Sequence, residues 1–260
     1  MLLAVDIGNT NIHLGLHQRG AWVRTWRART VAEKMPDEYG VLVHSFFEQA
    51  GLALGDVDAM IVSSVVPALT GAFVEMAERY MGCAPLVVGA PGVRVGVRLD
   101  VDNPSEVGAD RVVNAAAVHH LYGDAAIVID FGTATTFDVV TADGAYAGGV
   151  IAPGIGISHD ALVSRAARLY KVALEPPPSP IGRNTVHAMQ SGLFLGYIAM
   201  VEGVVARLRV AMERPDARVI ATGGLAALFA QHTTAIDEIA PLLTLDGLRI
   251  IYEMNAGTPV

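Results

Sequence analysis

The amino-acid sequence predicts an α/β fold in which one domain plan is used twice, each copy a mixed sheet flanked by helices. Three observations carry this prediction. VDIGNTNIHLGL at residues 5–16 and IDFGTATTFDVV at residues 129–140 are both strand–turn–strand segments, each with an Asp near a strand end and a Gly in the turn. A shift of 124 residues brings Asp6 onto Asp130, Gly8 onto Gly132, Gly20 onto Gly144, Ala21 onto Ala145 and Trp22 onto Tyr146, the pattern of an internal duplication. The composition is 52% hydrophobic and 17% charged over 260 residues, enough for a sizeable core and against disorder.

The elements follow in order. LLAVDIG and NIHLGLHQ read as two strands around a Gly-containing turn, and AWVRTWRA as a third with alternating character. Residues 36–51 read as a helix, with Pro36 near its start and Asp37 and Glu38 in the first turn. AMIVSSVVP is a buried strand stopped by Pro67, residues 68–82 an amphipathic helix, and PLVVG another strand. Residues 105–122 read as a helix with Ser105 as its cap and Glu106 in the first turn. AAIVID, TTFDVV and AYAGGVIAPG then restart the three-strand meander. Domains are expected at 1–118 and 119–260, with the boundary in or after the helix ending near Tyr122.

In the second copy, residues 155–170 read as helical, and LEPPPSPIGRNT cannot continue a helix. Residues 185–213 form a long helix containing Gly192, Gly196 and Gly203. These small residues suit either packing against the sheet or a dimer interface. ARVIATGG is a last central strand, followed by a helix at 225–231, an edge element in AIDEIAP and a helix at 242–254. NAGTPV is expected to fray.

A net charge of −8 argues against a general nucleic-acid surface. Phosphate ligands remain open, because backbone N–H groups can hold them. Cys83 is the lone cysteine, so no internal disulfide or cysteine-based zinc site is expected, and it reads as a small buried hydrophobe. No basic stretch precedes the first strand, and SGLFLGYIAMVEGVV carries Glu202 and is too short to span a bilayer. A soluble cytoplasmic protein with no membrane partner is expected.

The two turns carry the candidate chemistry. A Gly at a strand–turn–strand lets backbone amides approach a ligand. Asn9, Thr10, Thr133, Thr135 and Thr136 add short donors, while Asp6 and Asp130 add carboxylates. Donors suit phosphate oxygens, and carboxylates suit a hard cation such as Mg²⁺. Either turn alone is ordinary hairpin chemistry. The duplicated pair points to a triphosphate clamp. The sequence contains neither a GxxxxGK[ST] loop nor a GxGxxG dinucleotide motif. Paired hairpins of this kind resemble the actin-like (ribonuclease H-like), sugar-kinase and chaperone-ATPase superfamily, which implies an interdomain ATP cleft. TGG at 222–224 falls where that superfamily contacts adenosine.

DNPSEVGADR at 102–111, together with DIGNTN, DFGTATT, GGVIAPG and TGG in this order, resembles the type III pantothenate kinase family over nearly the whole chain. That resemblance implies transfer of the γ-phosphate of ATP to pantothenate, the first step toward coenzyme A, by a homodimer using Mg²⁺ and a monovalent cation, K⁺ or NH₄⁺. It implies Asp110 as the catalytic carboxylate, with Arg111 on polar oxygens of the substrate and Gly108, Ala109 and Val101 lining its site. It implies Asp6 on Mg²⁺, with Gly8, Asn9 and Thr10 around the phosphates, and Gly132, Thr133 and Thr135 matching them from the second copy. The monovalent cation is expected near Asp130. Thr185, in IGRNT, would help bind pantothenate across a dimer, while Asn184 or Thr185 would also cap the long helix.

Two positions depart from the family pattern. Val101 stands where members often carry a Tyr, and His13 where a basic residue is common. His119 and His120 are helix neighbours that do not share a face, and they read as structural. Two alternatives stand beside this reading. One is a related kinase acting on a sugar or short carboxylic acid, which would not need NPSEVGADR. The other is a nucleotide-binding regulator, which could lose the catalytic carboxylate.

Overall fold

A computed structural model describes residues 1–256. It forms two compact units. One comprises 1–123, 144–146 and the chain from Leu242 onward, the other 124–143 and 147–241. The first break follows Gly123, at the end of the third long helix, and the C-terminal helix packs with the first unit.

The first unit contains β1 (Leu2–Ile7), β2 (Asn11–Gln18), β3 (Ala21–Arg29), α1 (Pro36–Gln49), β4 (Ala59–Ser64), α2 (Pro67–Tyr80), β5 (Leu86–Val87), β6 (Arg98–Leu99) and α3 (Ala109–Tyr122). Its sheet runs β3-β2-β1-β4-β5. β1 pairs antiparallel with β2 and parallel with β4, so Asp6 lies between His13 and Ser63. The period of two splits β1 between two cores. Leu3, Val5 and Ile7 meet Tyr39, Phe47, Phe73 and Met76 of α1 and α2. Leu2 and Ala4 face Val113 and Ala116 of α3. Burial on both faces is why these strands read as apolar runs.

The second unit contains β7 (Ala126–Phe131), β8 (Ala134–Val140), most of β9 (Ala145–Pro153), α4 (Ile155–Arg165), α5 (Thr185–Ala211), β10 (Arg218–Gly223), α6 (Ala226–Ala230) and β11 (Glu238–Ile239). Its strands run β11-β10-β7-β8-β9. Ile127, Ile129 and Phe137 pack on Phe194, Tyr197, Val201 and Val205 of α5 and on Phe229 of α6. α7 (Leu243–Ala256) returns to the first unit, burying Leu245, Leu248 and Ile251 beside Leu2 and Ala4.

The duplication is visible in the coordinates. β1 and β7 are 124 residues apart at both ends, as are β3 and β9. Gly20 and Gly144, at the matching turns, have φ of 82° and 79°.

Local chemistry explains the departures from the sequence-based elements. The helix expected at 105–122 starts at Ala109, because Pro104–Glu106 form a separate 3₁₀ turn. Ser105 Oγ donates to Asn103 Oδ1 at 2.8 Å, and Asn103 Nδ2 donates to Glu106 Oε1 at 2.7 Å, so neither Ser105 nor Glu106 serves α3. α4 stops at Arg165 rather than 170, and α5 at Ala211 rather than 213. Of the NAGTPV tail, Asn255 and Ala256 belong to α7, and 257–260 lie outside the described residues. No described helix is long and apolar enough to cross a membrane.

Candidate active site

In the first unit, the turn between β1 and β2 closes when Gly8 N–H donates to the Asn11 carbonyl at 3.0 Å. Thr30 clamps it from the end of β3: its N–H donates to the Thr10 carbonyl at 2.9 Å and its Oγ1 to the Gly8 carbonyl at 2.7 Å. These bonds leave Asn9 and Thr10 exposed and Asp6 partly buried at the sheet edge. His13, opposite Asp6, is not a cation at neutral pH. Burial first, then the charge of Arg27, lowers its pKa to about 4.

α3 begins over the same sheet. Gly108 is its N-cap and Asp110 lies in its first turn, where a carboxylate is favoured. Asp110 Oδ1 accepts from Arg111 N–H at 2.8 Å. Burial raises the pKa of Asp110, partly offset by that N–H and by the charge of Arg111. A Cβ on Gly108 would lie 2.5 Å from Asp110 Oδ1, so the glycine makes room for the carboxylate. Ala109 and Val101 are partly buried, and the Arg111 guanidinium lies 5.6 Å from the Tyr146 ring centroid.

In the second unit, Gly132 N–H donates to the Ala134 carbonyl at 3.1 Å, and Gly154 N–H to the Thr133 carbonyl at 3.1 Å. Gly132 and Thr133 are exposed. Thr135 is not at this surface. Alternation along β8 turns it inward, fully buried, with its hydroxyl bonded to Tyr197. Thr136 takes the position opposite Asp130 instead, and Thr222 flanks Asp130 from β10.

Two glycines emerge here as supports of the site, and the sequence had signalled them only as members of GGVIAPG and TGG. Gly154 packs its Cα on the Gly132–Thr133 backbone, where a Cβ would not fit. Gly223 has φ +89°, and a Cβ there would lie 2.5 Å from Asp130 Oδ1 and 2.7 Å from Phe131 N. Thr185 lies elsewhere in this unit, at the first position of α5. The capping falls to Asn184, whose Oδ1 accepts from His187 N–H at 2.8 Å. Thr185 is exposed and lines a cavity of about 640 Å³ with Gly182, Arg183, Leu162 and Met189. Further along α5, nothing lies within 4 Å of a Cβ placed on Gly192 or Gly196, so neither glycine serves packing against the sheet.

His119 and His120 lie in the last turn of α3. The His119 ring fills the space over Gly144, which accords with a structural role. Cys83 is a free thiol packed against the first core, and burial raises its pKa.

A model of the type III pantothenate kinase family matches residues 2–207. A type III pantothenate kinase of Roseiflexus sp. is 51% identical over 255 residues, covering 98% of this chain and 99% of the relative. One of Geotalea uraniireducens is 48% identical over 258 residues, covering 99% and 100%. Solved structures with the same fold include a protein described as a Baf family transcriptional activator from Campylobacter jejuni, with a TM-score of 0.62 at 18% identity, covering 98% of this chain and 100% of that one. Component A of the Acidaminococcus fermentans (R)-2-hydroxyglutaryl-CoA dehydratase gives 0.51 at 12% identity, covering 99% of both. At these identities the likeness is one of fold, the actin-like ATPase and sugar-kinase fold expected from the paired turns. The family match takes in both turns and all of DNPSEVGADR, and the full-length relatives share about half of their residues with it: the chain belongs to the type III pantothenate kinase family.

Proposed function

We propose that this chain is a cytoplasmic enzyme that phosphorylates pantothenate with ATP. The observation that carries this reading is Asp110, a partly buried carboxylate at the start of α3, beside Gly108 and Arg111, whose affinity for a proton is raised by burial. The pantothenate hydroxyl oxygen forms a bond to the γ-phosphorus while the bond to the β,γ-bridging oxygen breaks, releasing ADP. Asp110 orients the hydroxyl and takes its proton late, because an alcohol gives up its proton readily only as the new bond forms. Arg111 holds polar oxygens of pantothenate, Val101, Gly108 and Ala109 shape its site, and Thr185, at the start of α5, completes the site across the dimer.

With the Gly8 and Gly132 N–H groups closing the two turns, the exposed Asn9, Thr10 and Thr133 beside these glycines suit phosphate oxygens. Among the described residues no three His, Cys, Asp or Glu side chains cluster as a metal cage. That fits magnesium, which keeps several waters and needs only one or two carboxylates besides the phosphates. Asp6 is the residue that would hold it, and the ion would neutralise phosphate charge. The surroundings of Asp130, with Thr136 and Thr222 beside it, suit a weakly charged ion, so K⁺ or NH₄⁺ is assigned there. The open glycines of α5 support a homodimer through that helix.

The test is phosphorylation of pantothenate by ATP and Mg²⁺, with and without K⁺ or NH₄⁺, in wild type and Asp110→Asn. Turnover stimulated by the monovalent ion and reduced at least 100-fold in the variant is expected, on the order seen for a lost acid–base group. Light scattering of the same preparation should give twice the chain mass of 27.3 kDa. Wild-type turnover of a sugar or acetate in preference to pantothenate would sink the substrate assignment.

A further inference from the structure

Ser63 is a polar residue that neither the core nor the turn explains. It lies next to last in β4, is fully buried, and its Oγ has no hydrogen-bond partner. Its neighbour behaves differently. Ser64 Oγ donates to the Val66 carbonyl at 3.0 Å and accepts from the Val66 N–H at 3.1 Å, fastening the strand to the start of α2. A dry, unbonded hydroxyl is worse for folding than an apolar group of similar size. A cost of this kind, held at the edge of a site, points to use in the liganded state.

The register says what it meets. Ser63 is the parallel partner of Asp6, and His13 is the antiparallel partner on the other side. Adjacent strands lie about 4.8 Å apart, and paired residues point to the same face. On that face Leu2, Ala4 and Ile61 pack with Val113 and Ala116 of α3. Asp6 and Ser63 continue it to the end of the strands, where the start of α3 also lies: a Cβ on Gly108 would be 3.6 Å from Val65 Cγ1. His13 is neutral at neutral pH and brings no charge to the carboxylate.

We infer that Ser63 is a positioning residue, its hydroxyl donating a hydrogen bond that fixes the Asp6 carboxylate toward the magnesium nucleotide. The inference rests on the kinase reading above. The bond joins a neutral donor to a carboxylate, which makes it stronger than one between neutral groups. Ser63 acts through Asp6 and touches no reacting atom.

Calorimetric titration of the full chain with MgADP tests this in wild type, Ser63→Ala, Ser63→Thr, Asp6→Asn and the Asp6→Asn/Ser63→Ala double variant, with thermal unfolding of each metal-free protein. Ser63→Ala should melt at or above the wild-type temperature and yet bind MgADP about tenfold more weakly. Ser63→Thr keeps the hydroxyl and should recover most of the affinity. In the Asp6→Asn background the alanine should cost nothing further. Equal affinity in wild type and Ser63→Ala, or a loss that persists in the Asp6→Asn background, overturns the inference and leaves the kinase reading standing. A wild type that binds no MgADP overturns both.

Discussion

Single residues at this site are set by what burial does to their charge. Burial raises the pKa of Asp110 and lowers that of His13, because in each case it disfavours the charged form. For His13 the consequence is a stability that depends on pH. Its folded-state pKa of about 4 lies below the unfolded value of 6.5, so the neutral ring favours the fold. That contribution is complete above pH 6.5, shrinks as the pH falls, and is gone near pH 4. Allowing for partial exposure of the ring, it is worth about 2 kcal/mol. Denaturant unfolding at steps from pH 7 to pH 4 should therefore show wild type losing about 2 kcal/mol more than His13→Gln over that range. Parallel profiles would show that protonation of His13 does not weaken the fold. The position of His13, one strand from Asp6, was legible in the sequence, and so was a neutral imidazole there, but how far burial lowers its pKa was not. Burial and the neighbouring Arg27 arise from pairing with β3, which periodicity does not quantify.

At the scale of elements, the first turn is held by Thr30, and the second by Gly154 and Gly223 from later in the chain. Gly223 ends β10 with φ +89° against the carboxylate and backbone of β7. Alanine there is strained in conformation and meets Asp130 Oδ1 and Phe131, so Gly223→Ala should cost about 1–3 kcal/mol and weaken ATP binding. Gly71→Ala is the matched control: Gly71 is an exposed residue of α2 with nothing within 4 Å of an added Cβ, and the change should stabilise by about 0.5–1 kcal/mol. Thermal unfolding and nucleotide titration of both variants would check this, and equal, harmless outcomes would remove Gly223 from the support of Asp130. Strand and helix positions were legible because apolar periods of two and 3.6 are local signals. The start of α3 was not, since Ser105 and Glu106 make a cap-like pattern that Pro104 and Asn103 divert into a separate turn. Thr135 was misplaced for a related reason. A run of three candidate donors at 133, 135 and 136 does not reveal which of them alternation turns toward Tyr197.

For the molecule as a whole, the least legible feature is the return of the C-terminal helix to the first unit. α7 is amphipathic and carries no sign of which sheet it covers, so a division at 118/119 assigns it to its neighbours in sequence. The contacts that decide are non-local. Leu243, Leu245, Leu248, Ile250 and Ile251 are at most 1% exposed. Gly247 fits against the Val113 backbone of α3, and Trp22 Nε1 donates to Asp246 at 2.8 Å. Burying each of these five large side chains is worth about 1.5–3 kcal/mol, so their loss would remove on the order of 10 kcal/mol, comparable to the whole stability of an ordinary domain. Deletion from Leu243 onward should thus unfold the first unit, and with it the face that bears Leu2, Ala4 and Ile61, although every residue assigned to phosphate, magnesium and pantothenate remains in the chain. Hydrogen exchange separates this from a mere loss of the tail. In the truncated protein, β1 and β4 amides should exchange as if unfolded, while β7 and β10, which belong to the other unit, keep measurable protection. Protection of β1 at the wild-type level would mean that α7 is an accessory to the first unit, and that a chain ending near 242 still builds the turn carrying Asp6.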